Sequence, residues 1–110
     1  MKTSRLTGAA LDWAVQQCEG QRTDIDFAWW HEDYTPSTNW TQGGLIVERE
    51  CIDLQYQGGE TDVWAADMFN ADSMVYGDTP LIAAMRCYVT SVMGNKVDVP
   101  EKLNEVLEES

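Results

Sequence analysis

The stretch that most constrains this chain is Thr79-Pro80, followed by Leu81, Ile82, Met85, Tyr88, Val89 and Val92 and stopped by Gly94. A threonine hydroxyl can take up a free amide at a helix start. Proline fits the first helical position, where its missing N–H costs nothing. The apolar spacing then predicts a helix over 80–93. Its stripe is too broad for a helix lying on a surface, so this is expected to be the central helix, against which the rest of the chain packs.

A second helix is expected over 8–19. Thr7 is placed to cap it, Leu6 and Leu11 are spaced as a hydrophobic staple, and Gly20 supplies a stop. Leu11, Ala14, Val15 and Cys18 recur at helical spacing and define its core face, while Trp13 reads as a covered flank. From Asp24 the period changes to two: Ile25, Phe27 and Trp29 alternate with Asp26, Ala28 and Trp30, which suits a half-buried strand. Ile52, Leu54 and Tyr56 suggest another strand. Gln57-Gly58-Gly59-Glu60 reads as a turn and 61–65 as the returning strand of an antiparallel hairpin. Residues 66–78 show no clear period and are expected to form a loop anchored by Met68, Phe69 and Met74. Residues 45–50 fit a short helix or a strand, with a slight lean to a helical turn. Val97 and Val99 suit a short strand. Pro100 could open a last short helix carrying Leu103, Val106 and Leu107, which frays where Glu108 and Glu109 oppose the helix dipole. The expected fold is therefore α+β: one domain over 1–110, with a small antiparallel sheet packed against two main helices, about 8–19 and 80–93.

Charge restricts the partners. With 19 Asp and Glu against 7 Lys and Arg, the chain carries a formal net charge of -12 and repels phosphate backbones, so direct nucleic-acid binding is not expected. The charge reads either as a solubility effect or as mimicry of nucleic acid toward a basic protein. Cys18, Cys51 and Cys87 are odd in number, and with His31 as the one histidine no zinc site is legible. The start Met1-Lys2-Thr3-Ser4-Arg5 lacks the apolar core of a signal peptide, and no run approaches the length of a membrane span, so a reducing cytoplasm is expected.

Between the regular segments lies Tyr34-Thr35-Pro36-Ser37-Thr38-Asn39-Trp40-Thr41-Gln42-Gly43-Gly44. Pro36 bars helix at Thr35, and the paired glycines reach backbone geometry closed to other residues. Tyr34, Trp40 and Trp64, with Trp30 as a further candidate, offer flat surfaces for stacking. Ser37, Thr38, Asn39 and Gln42 could read the polar edges of a ring. This predicts a recognition loop over 34–44, although a turn network that merely satisfies its own backbone fits the composition equally well. A phosphate would need positive partners. Thr79 at a helix start supplies free amides, and Arg86 in an apolar helix could be drawn inward toward an anion or toward one of the many carboxylates.

No nucleophile elbow, phosphate-binding loop, dinucleotide fingerprint or zinc-protease motif is present. Glu48, Glu50 and Asp53 could pair for acid–base work or hold magnesium, but carboxylates this frequent fall together by chance. His31 beside Glu32 and Asp33 reads more simply as structural. No catalytic residue, metal or cofactor is expected.

The run from Tyr34 to Gly44, Ile46-Val47-Glu48-Arg49-Glu50, Trp64-Ala65 and Thr79-Pro80-Leu81-Ile82-Ala83-Ala84-Met85-Arg86-Cys87-Tyr88-Val89 together resemble the NinX family of small tailed-phage proteins. The opening Leu6-Thr7-Gly8-Ala9-Ala10-Leu11-Asp12-Trp13-Ala14-Val15 resembles it too, so the likeness covers about residues 1–100. Leu45 departs from it, standing where proline is usual. The resemblance implies a phage accessory protein acting in the host bacterial cytoplasm. Two functions fit that setting. One is a non-enzymatic counter-defence protein that sequesters a small nucleotide-like host signal through Tyr34, Ser37, Thr38, Asn39, Trp40, Gln42, Gly43, Gly44, Trp64, Thr79 and Arg86. The other is an acidic decoy that binds a basic host nucleic-acid-binding protein. An enzyme degrading a nucleotide signal ranks third. A homodimer is a mild expectation, since small sequestering proteins often enclose a ligand between two chains.

Overall fold

The structure is a computed structural model that describes residues 2–20, 35–58, 63–68, 74–94 and 96–97. A single 3-10 turn at Thr3–Arg5 leads into α1 (Gly8–Gly20). Then come α2 (Trp40–Glu50), β1 (Asp53–Tyr56), β2 (Trp64–Asp67), β3 (Val75–Gly77) and α3 (Pro80–Met93). Among the described residues the strands form one antiparallel sheet in the order β1-β2-β3. The α+β expectation holds. The strand expected over 25–30, Trp30, His31, Tyr34 and the last helix lie outside the described residues.

α3 is the axis of the molecule. The Thr79 hydroxyl accepts from the Ile82 amide at 3.1 Å, Pro80 takes the first position, and Gly94, at φ 86°, closes the helix. Leu81, Ala83, Ala84, Met85, Cys87, Tyr88 and Val89 are buried against α1 and α2 as well as the sheet. In α1 the expected stripe of Leu11, Ala14, Val15 and Cys18 is fully buried, with Trp13 half-buried against the same core. The helix runs one residue further than expected, through Gly20. Its first bond is donated by the Leu11 amide to the Thr7 carbonyl at 3.3 Å.

The middle of the chain departs from expectation. Residues 40–44 are not loop: Asn39 accepts from the Thr41 amide at 2.9 Å and caps a helix that runs from Trp40 to Glu50, ending where Cys51 turns left-handed at φ 53°. The paired glycines sit inside this helix for a packing reason. A Cβ on Gly43 would collide with the Pro36 carbonyl and lie 2.8 Å from Leu81 Cδ2, so only glycine lets α2 reach α3 at this point. The expected loop over 66–78 is also corrected. β2 extends through Asp67, and Val75–Gly77 forms a third strand too short to show periodicity. Gly77 lets β3 lie against the start of α3, since a Cβ there would come within 2.5 Å of the Ala83 nitrogen.

One polar cluster joins the three helices. Arg49 of α2 donates to both carboxylate oxygens of Glu19 in α1, at 3.1 and 2.9 Å, and to Tyr88 Oη in α3 at 3.2 Å. Tyr88 Oη donates to Glu19 Oε2 at 2.8 Å, and Arg49 Nε donates to Glu50 at 2.8 Å. The guanidinium lies over the Tyr88 ring, 5.6 Å from its centroid. Burial works against the charge on Arg49, but the carboxylates of Glu19 and Glu50 more than compensate and hold the guanidinium protonated.

Candidate functional site

The structure separates the anticipated binding residues. Ser37, Thr38, Trp40 and Thr79 do converge, and with Pro80, Leu81 and Ile82 they line a notch of about 220 Å³ at the starts of α2 and α3. The Trp40 indole is 54% exposed and lies back over Gly44, with its ring edge 3.5 Å from where a Cβ on that residue would stand. The polar groups of the segment are largely spent on the chain itself. The Ser37 amide donates to Asp12 Oδ1 at 2.9 Å, the Thr35 amide donates to the Gln42 side-chain oxygen Oε1, and Asn39 caps α2. Gly43 is buried, and Trp64 sits in β2 with its ring tilted against Tyr56 at 5.3 Å. Neither Gly43 nor Trp64 lines the notch.

Arg86 lines a different and larger space. A cleft of about 620 Å³ is bounded by Val63, by Met74 to Asp78 along β3, by Arg86 and Thr90 of α3, by Lys2 and Thr3 of the N-terminal segment, and by Lys96 just after α3. This is the size of a small-molecule site. Its lining combines two chemistries. Val63, Met74, Val75 and the half-exposed Tyr76 supply apolar and aromatic surface, while Lys2, Arg86 and Lys96 bring three of the chain's seven cations together. Asp78 is the one acid on the lining among the described residues. Such an amphipathic cleft suits a ligand with a flat apolar part and an anionic part.

Among the described residues Arg86 is held by backbone carbonyls rather than by a carboxylate. Its Nε donates to the Leu6 carbonyl at 2.7 Å and its Nη1 to the Tyr76 carbonyl at 2.8 Å. Burial lowers its proton affinity, and the nearby charge of Asp78 partly offsets this. Thr90 turns its hydroxyl back to the Arg86 carbonyl at 2.8 Å, and Thr3 Oγ1 donates to the Gly94 carbonyl at 2.6 Å, which fastens the first residues to the end of α3.

Sequence reasoning found Arg86 and missed the rest of this cleft. Lys2, Lys96 and Tyr76 lie far apart in the chain and carry no shared motif. The one available clue was the scarcity of cations, which makes any grouping of them informative. For acid–base chemistry the structure assembles little. Glu50 is paired with Arg49, and among the described residues no group of three or more side chains could hold a metal ion.

Fold and cleft together define a small α+β protein with an amphipathic, cation-lined cavity beside its central helix. The family model described as Bacteriophage P22, NinX matches residues 2–92, and the chain belongs to that family. This is a phage protein. No curated protein matches it. Among the described residues no helix is long and apolar enough to cross a membrane.

Proposed function

We propose that this phage protein is a non-enzymatic counter-defence factor that acts in the host cytoplasm by sequestering a small nucleotide-like signal in the cleft beside α3. The observation that carries the reading is the gathering of Lys2, Arg86 and Lys96 on one 620 Å³ cavity in a chain of net charge -12, with Tyr76 on the same lining. A base would lie along the apolar surface, with Tyr76 for stacking, and the anionic end would face the cations.

The test is thermal denaturation with a panel of adenine-containing nucleotides. A ligand present at about 100 times its dissociation constant adds about 2.7 kcal/mol of stability. Tyr76→Ala is expected to remove the effect, whereas Trp40→Ala is expected to leave it. The opposite pattern would move the ligand to the notch at the starts of α2 and α3, and no shift with any member of the panel would reject the reading. The strongly acidic composition favours one rival, a decoy for a basic host protein. That function gives no nucleotide-dependent shift, and its complex weakens steeply with added salt.

A further inference from the structure

We infer that the cationic part of the cleft is a phosphate clamp, in which Lys2 and Lys96 with Arg86 take a ligand phosphate carrying two negative charges. This rests on the reading of the cleft as the binding site and adds which part of the ligand anchors it. Lys2 and Lys96 face each other in an isolated antiparallel bridge. Residues directly opposite in such a bridge put their side chains on the same face, with Cβ atoms about 4.5–5.5 Å apart, and like charges there repel. A chain with 19 acids and 7 cations has ample means to oppose a lysine with a carboxylate, yet here two lysines meet on the lining of a cavity that also holds Arg86.

Arg86 adds a fixed charge. Its Nε and Nη1 are pinned by the Leu6 and Tyr76 carbonyls, which orient the guanidinium without neutralising it. Among the described residues no ion pair is made to Arg86, and its Nη2 has no hydrogen-bond partner. The N-terminal side of the bridge is tied to α3 at two points: the Thr3 hydroxyl donates to the Gly94 carbonyl, and the Leu6 carbonyl accepts from Arg86. The lysine pair therefore cannot relieve its repulsion by letting the N-terminal segment swing away freely. A dianionic phosphate between the lysines would turn the repulsion into two charge-assisted contacts, and its further oxygens could accept from Arg86. A single negative charge would leave the trio under-neutralised, since Asp78 is the one acid on the lining among the described residues.

The experiment measures melting temperature and affinity with inorganic pyrophosphate against sodium chloride at equal ionic strength, and with adenosine against adenosine monophosphate. Pyrophosphate is expected to raise the melting temperature of the parent protein. Lys96→Ala and Lys2→Ala are each expected to weaken binding about tenfold or more. Both lysines are exposed, so neither change removes a core contact. Lys96→Glu places a carboxylate opposite Lys2 and is expected to melt no lower than the parent without ligand while losing the pyrophosphate effect. No shift with pyrophosphate, or an undiminished one in Lys96→Glu, overturns the clamp. Equal binding of adenosine and its monophosphate overturns the clamp and leaves the nucleotide-like reading standing. A pyrophosphate effect that Lys96→Glu abolishes, without binding of either adenosine compound, upholds the clamp and rejects that reading.

Discussion

Asp12 shows how single residues carry strain in this fold. It is buried in α1, and its Oδ1 accepts the Ser37 amide at 2.9 Å. Burial raises its carboxyl above the ordinary 3.8, and the hydrogen bond from the Ser37 amide only partly counters this. A carboxyl whose folded pKa exceeds its unfolded value costs stability as pH rises above the unfolded value. Asp12→Asn keeps the acceptor and loses the charge. In urea melts it is expected to be at least as stable as the parent at pH 7, with the advantage narrowing as the pH falls toward 4. Asp12→Ala, which leaves the Ser37 amide unpaired, is expected to fall about 1–2 kcal/mol below Asp12→Asn. The cysteines give a second check. Burial, with the charge of Glu19, pushes the Cys18 thiol up to about 12, and burial, with the charge of Asp67, pushes Cys87 up to about 11. Cys51 is exposed. Maleimide is therefore expected to label Cys51 quickly in the folded protein and the other two only on unfolding. Fast labelling of all three would contradict the packing of α1 on α3.

Among the elements, α3 was legible because a cap, a proline, a wide stripe and a terminal glycine agree at every position, and α1 because its core face repeats at one period. Thr79→Ala is expected to cost about 1 kcal/mol in chemical denaturation, the value of a lost side-chain cap. α2 was hidden by its composition. Trp40-Thr41-Gln42-Gly43-Gly44 is poor helix sequence, and it holds helical form because Asn39 caps it and Gly43 admits the close contact with Pro36 and Leu81. Tertiary packing overrides propensity here, and Gly43→Ala, although it raises helix propensity, is expected to destabilise the protein by about 1–3 kcal/mol through overpacking. β3 was hidden by brevity, since three residues contain no testable alternation. The candidate site was legible only in part. Ser37, Thr38, Trp40 and Thr79 do share a notch, but Arg86 lies with partners that the sequence places far apart in the chain.

At the scale of the whole molecule, two cationic arrangements do different work. Arg49 closes the three-helix junction, where Glu19 is only 4% exposed and depends on that guanidinium. Arg49→Met is expected to cost about 3 kcal/mol, because it leaves a buried carboxylate without its counter-charge and with the Tyr88 hydroxyl as its remaining donor among the described residues. Arg86 also joins the N-terminal segment and β3 to α3, but through neutral carbonyls, and its charge is gathered with those of Lys2 and Lys96 on an open cleft. That asymmetry is the ground for reading the cleft as a place for a guest molecule and the helix junction as its frame. The most direct measurement is to incubate the protein with a nucleotide signal extract, remove unbound material, boil the protein and assay what is released. The account predicts that a phosphate-bearing nucleotide is retained and returned intact, and that Tyr76→Ala protein retains none. Release of an altered product, or retention of nothing by the parent protein, would contradict it.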